Sequence, residues 1–167
     1  MTDALTLPVW PPAANYFFNR AAQTYNAWIA LGVSRTFAIG LGVTQPEFES
    51  AFKWNAVGDH DRAFNFYQWW WNPRGMAILA ATGIDVRREQ SIKRIVDAAW
   101  WELNHTHIKA RDAVAAAVSV HDAAVIACKL YEGAGAPNAS ERRGHGGDRW
   151  DKWFNDNAAF VATNPAQ

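Results

Sequence analysis

Residues 47–71, EFESAFKWNAVGDHDRAFNFYQWWW, interrupt a chain whose other segments read mostly as helix. Asn55, Gly58, Asp59 and Asp61 are turn formers, and Phe64, Phe66 and Tyr67 follow in rough alternation, so the pattern predicts a small hairpin or irregular sheet over 53–71. The stretch closes on Trp69, Trp70 and Trp71. Three consecutive bulky rings cannot all point inward from one strand or one helical turn. At least one of them must face a groove or a partner, so the chain has to combine a helical scaffold with a small β element at an open surface.

The flanking segments supply the helices. Residues 13–31 follow Pro11-Pro12 and stop at Gly32, which suits an amphipathic helix opened by proline and closed by glycine. Ser34 offers an N-cap to a second helix through Phe37, Ile39, Leu41 and Val43 toward Phe48 and Phe52, carrying Glu47 and Glu49. Pro46 removes an amide donor inside it and predicts a kink or break about one turn before Glu49. Further helices are expected at 73–82, 89–104, 110–118 and 120–132, with Ile92, Ile95, Val96, Ala99 and Leu103 at helical spacing and Ser119 or Asp122 as a cap. The Gly-, Pro-, Asn- and Arg-rich run 133–147 reads as a surface loop before a short helix around 150–160. The expected fold is one mostly α domain over 1–167: a helical bundle around a long central helix, with a small β-hairpin beside a cleft. Its core spans about 13–135, and a C-terminal loop and short helix occupy 136–167.

Composition narrows the function. The 167 residues carry a formal net charge of zero and scattered basic residues, so no electrostatic footprint for nucleic acid is present. The single cysteine, Cys128, excludes an internal disulfide and is expected to be a small buried residue. Residues 1–10 lack a basic region followed by a long apolar core, so they do not read as a signal peptide, and no apolar run is long enough for a membrane span. Of the ten tryptophans, Trp28, Trp100 and Trp101 are assigned to packing. His60 lies beside Asp59 and Asp61, but a hydrogen-bonded turn accounts for that trio, and His105 and His107 read as surface residues near a helix end. No metal or other cofactor is expected.

A carboxyl held against aromatic faces has its pKa raised and becomes a general acid, and the same faces stack on sugar rings. The arrangement over 47–71 therefore points to a carbohydrate-cleaving site. Glu47 and Glu49 point about 200° apart on a helix, so only one can face the cleft.

Glu49-Ser50-Ala51-Phe52, then Asn55-Ala56-Val57-Gly58-Asp59, then Ala63-Phe64 and Gln68-Trp69 resemble, in order and spacing, the motifs of the lysozyme-like superfamily. The resemblance is closest to phage tail lysozyme domains related to goose-type lysozymes and lytic transglycosylases. Tyr131-Glu132-Gly133 is similar to the tyrosine motif placed late in that fold, and the resemblance covers about residues 34–135. It implies cleavage of peptidoglycan between N-acetylmuramic acid and N-acetylglucosamine, with Glu49 as general acid. It implies Asp59 as the second carboxylate, with Asp61 the competitor. Some relatives use the substrate's own N-acetyl or 6-hydroxyl group instead, so hydrolysed and 1,6-anhydro products both stay open. Gln68 is implied as a hydrogen-bond partner of an N-acetyl group or a sugar hydroxyl, Trp69 or Trp70 as a stacking floor and Tyr131 as the residue orienting Glu49. Location in a phage tail, beside other virion proteins, follows from the same resemblance.

Two positions depart from the pattern. Asn65 replaces the usual glycine and adds a side chain where backbone approaches the sugar, and Pro46 stands where ordinary helix formers are common. These departures sustain an alternative, a structural virion component with an inactive lysozyme-like fold and tryptophans at interfaces. A salt bridge from Glu49 to Arg62 or Arg74 would favour it.

Overall fold

The structure is a computed structural model that describes residues 12–133, 136 and 138–166, with side chains from residue 16 onward. The reading of residues 1–10 lies outside the described residues. The architecture is mostly α with a small antiparallel β part.

Helix α1 (Pro12–Ala30) ends where Gly32 takes φ +82°. Ser34 then accepts a hydrogen bond from the Phe37 amide and starts α2 (Arg35–Phe37), which runs through a π-helical segment, Ala38–Val43, into α3 (Thr44–Ser50). Pro46 does not break this run. The wider turn comes just before it, and the Gly42 carbonyl, which an amide at position 46 would have bonded, accepts the Tyr67 hydroxyl at 3.1 Å. Tyr67 in turn accepts from Trp28 Nε1 at 3.0 Å. Gly42 is needed for close approach, since a Cβ there would lie 2.3 Å from the Trp28 ring.

Residues 57–70 form three two-residue strands, β1 (Val57–Gly58), β2 (Ala63–Phe64) and β3 (Trp69–Trp70), in antiparallel order β1-β2-β3. Phe64 pairs with Val57 and Trp69. A π-helical turn, Trp71–Gly75, leads into α4 (Met76–Thr82). Then come α5 (Ile92–His105), capped by Ser91, and α6 (Ile108–Ala115). Helix α7 (Val120–Ala127), capped by Ser119, continues as a π-helical segment, Cys128–Glu132, closed by Gly133 at φ +65°. Trp28 and Cys128 are fully buried, and Trp100 and Trp101 pack half-buried on the core.

The largest correction concerns the C-terminal part. Where the sequence reads as loop and short helix, an 18-residue helix α8 (Ala139–Asp156) runs along α7, followed by α9 (Ala158–Ala162). Gly144, Gly146 and Gly147, poor helix formers in isolation, face neighbours too close for a side chain: Cβ atoms there would come 2.5 Å from His121, 2.6 Å from Phe48 and 3.0 Å from the Val120 carbonyl. Packing along this seam overrides propensity. Among the described residues no helix is long and apolar enough to cross a membrane.

Candidate active site

Helix α3 stops without glycine. Ala51 and Phe52 both adopt left-handed backbone, at φ 49° and 59°, an outlying conformation for a residue as bulky as Phe52. Phe52 is fully buried, with its ring 5.2 Å from Phe17 and 6.0 Å from Phe66. That packing holds the turn and leaves Glu49, at the last turn of α3, facing a cleft of about 350 Å³. The cleft is lined by Glu49, Asp59, Ala63, Gln68, Trp70, Arg74 and Glu132, so α3, the β-hairpins and the end of the α7 run converge on it.

Glu49 and Glu47 diverge as their spacing requires. Glu47 turns toward α8, where its carboxylate accepts the Trp150 indole N–H at 2.7 Å and pairs with Arg149, so it is an interhelical ion-pair partner as well as a surface residue. Glu49 pairs with Arg143 of α8. Neither Arg62 nor Arg74 reaches it. Arg62 donates to the Asp59 carbonyl and lies over Trp70, and Arg74 binds Glu102 through two hydrogen bonds of 2.6 and 2.9 Å. Arg143 is 6% exposed and also donates to Gln45 Oε1 at 2.7 Å, with Gln45 itself tied to the Gly40 and Ala124 carbonyls.

Glu132 is the cleft residue that sequence reasoning leaves without a role. Its Oε1 is shut off from solvent and has no hydrogen-bond partner among the described residues. Burial, and then the neighbouring Glu49 carboxylate, push its carboxyl up to about 8, against the opposing pull of Arg74 and Arg143. Its sequence signal is a carboxylate directly after Tyr131, at the very end of a helix.

Asp59 lines the same cleft, with φ 54° in a run of left-handed residues 59–61, and its carboxylate accepts no hydrogen bond among the described residues. Asp61 lines a neighbouring pocket with Arg62, Trp70 and Trp71. Gln68 donates to the Asn65 carbonyl at 2.9 Å, which fixes its amide at the cleft wall. Trp70 is 42% exposed and borders both pockets.

Trp69 and Tyr131 are corrections. The strand alternation that turns Trp70 outward turns Trp69 inward. It is fully buried, its N–H 2.9 Å from a Glu102 oxygen, and cannot serve as a stacking floor. The Tyr131 hydroxyl donates to the same Glu102 oxygen at 2.8 Å, so Tyr131 orients Glu102 rather than Glu49. Burial opposes charge on Glu102, but the hydrogen bonds and charge of Arg74 outweigh it and hold that carboxyl below the usual carboxylate range. His107 belongs to this cluster too, half-buried with Nδ1 3.7 Å from Glu102, while His105 is exposed. Asn65 is also corrected. It is fully buried at φ 68°, with its amide donating to the Val86 and Glu89 carbonyls, so its side chain faces inward and adds nothing to the cleft. Asparagine tolerates the left-handed turn that glycine would otherwise fill.

Comparison with curated proteins and comparison with solved structures give no match. The family model of phage tail lysozymes matches residues 19–154, which include every residue of the cleft, Arg143 and nearly all of α8. The chain therefore belongs to the phage tail lysozyme family, whose role is lytic action on peptidoglycan.

Proposed function

We propose that this chain is a virion-associated glycosidase that cuts peptidoglycan between N-acetylmuramic acid and N-acetylglucosamine, with Glu49 as the group that protonates the glycosidic oxygen. The observation that carries this reading is the meeting of Glu49 and Glu132, 83 positions apart in sequence, in one cleft beside Trp70 and Gln68. Burial, with the Glu49 carboxylate nearby, raises the Glu132 carboxyl to about 8, so the cleft holds a proton beside Glu49 at neutral pH. Glu49 and Glu132 both line the cleft, so the proton that Glu132 holds passes to Glu49 and from Glu49 to the glycosidic oxygen, leaving Glu132 ionised. Proton delivery to the departing oxygen lets an oxocarbenium-like state develop at the sugar. Asp59, with its unbonded carboxylate on the cleft wall, positions the water of a hydrolase. Trp70 stacks on the glycan and Gln68 faces its N-acetyl or hydroxyl groups.

The ion pair from Arg143 to Glu49 favours a second reading, a structural tail component with an inactive site, because it commits the carboxylate to joining α3 to α8. Product analysis separates the two. Purified peptidoglycan incubated with the chain should release soluble muropeptides, with reducing ends from a hydrolase or 1,6-anhydro ends from a transglycosylase. A well-folded chain that releases neither leaves the structural reading standing.

A further inference from the structure

The outer face of the α7–α8 seam carries a side-chain cluster that the cleft does not use. His121 of α7 and His145 and Asp148 of α8 each offer a ligand atom within 4.8 Å of the others. His121 Nδ1 lies 2.8 Å from Asp148 Oδ2, and His145 Nδ1 lies 3.9 Å from the same oxygen. Glu141 Oε1 is 3.6 Å from Nε2 of both imidazoles. Among the described residues no Lys or Arg pairs with Asp148 or Glu141, so imidazoles are the only counterparts of two carboxylates.

We propose that His121, His145 and Asp148, with Glu141 beside them, form a binding site for a divalent transition-metal ion, zinc by its donor set. Zinc takes imidazole nitrogen and carboxylate oxygen at about 2.0–2.2 Å in a tetrahedron, which spaces neighbouring donors about 3.3 Å apart. The two Nδ1–Oδ2 separations, 2.8 and 3.9 Å, bracket that value, while Glu141 meets the opposite, Nε2 edge of both rings. The side chains of His145 and Asp148 are 70% and 55% exposed, so both are free to close the remaining distance. Glu141, His145 and Asp148 recur at i, i+4 and i+7 on one face of α8, and Gly144 lets His121 lie against that helix. Two imidazoles and a carboxylate suit zinc better than the hard cations that select oxygen alone. The bound ion would bridge α7 to α8 on the outside of the seam whose inner side delivers Arg143 to Glu49.

The test is titration of the full chain with zinc chloride by calorimetry, and with cobalt(II) by visible absorption. The wild type is expected to bind one equivalent, show tetrahedral cobalt bands and gain thermal stability with zinc. His145→Ala, at an exposed position, should leave the metal-free unfolding midpoint unchanged and weaken binding by about tenfold or more. His121→Ala should lose the site as well. Absence of binding by the wild type, or equal binding by His145→Ala, would overturn the proposal.

Discussion

Three buried or half-buried carboxylates meet two guanidiniums around the cleft: Glu102 takes Arg74, Glu49 takes Arg143, and Glu132 is left without a cation of its own. Leaving a charge unpaired there would cost several kcal/mol, so Glu132 keeps its proton instead. Peptidoglycan release should accordingly fall as pH rises through about 8, where Glu132 loses that proton. Glu132→Gln should reduce release and abolish that alkaline limb, as a pH–rate profile would show, and an unchanged limb would remove Glu132 from the mechanism. Trp70 tests the binding role separately. Trp70→Ala deletes an indole that is 42% exposed and lies under Arg62, so unfolding should move by only about 1–2 kcal/mol while KM for soluble glycan fragments rises roughly three- to tenfold. A raised unfolding cost with unchanged KM would instead assign that ring to packing.

The elements that build the site differ in how legible they are. The places of Glu49 and Asp59 on the cleft, and the presence of one outward ring among Trp69, Trp70 and Trp71, can be read from the chain, because a helix ending in an acid, a turn-rich run and consecutive aromatics each leave a local pattern. The contribution of α8 leaves none, and Glu132 leaves only its place directly after Tyr131 at the end of a helix. Gly144, Gly146 and Gly147 look like loop to any local rule, yet a side chain at those places would collide with α7 or α3, so the seam decides the helix. Arg143, inside that apparent loop, reaches Glu49 only once α8 is in place. Trp69 and Trp70 are separable only by the register of two-residue strands, which composition does not fix. The π-helical segment at 38–43 is a further case, since Gly40 faces α7 with no room to spare. A Cβ there would lie 2.4 Å from the Ala123 Cβ and 2.9 Å from the Ala124 amide nitrogen, neither of which can rotate away. Gly40→Ala should therefore lower stability by about 1–3 kcal/mol in denaturant titration, and a neutral result would mean that the α7 contact is looser than described.

For the molecule as a whole, the perturbed carboxyls set the shape of stability against pH. The Glu102 carboxyl is depressed in the fold, chiefly by Arg74 acting against burial, so its contribution is present above the unfolded value and is lost as pH falls through the folded one. Glu132 is raised, so between the ordinary carboxyl value of 4.5 and about 8 the unfolded chain ionises while the folded chain does not, and stability declines across that window. The free energy of unfolding should peak near pH 5, and Glu132→Gln should flatten the alkaline decline, with a gain on the order of 2–3 kcal/mol at pH 7. A profile that rises from pH 5 to pH 8 would contradict this balance. With zero formal net charge the chain has no strong attraction to an anionic wall, which fits delivery by a larger assembly. The most direct test of the proposed activity is muropeptide release from purified peptidoglycan by the wild type and Glu49→Gln, with both variants checked for folding by circular dichroism. Release should drop at least about a hundredfold in the variant. Wild-type release by a folded Glu49→Gln would contradict the assignment of the acid and of the cleft around it.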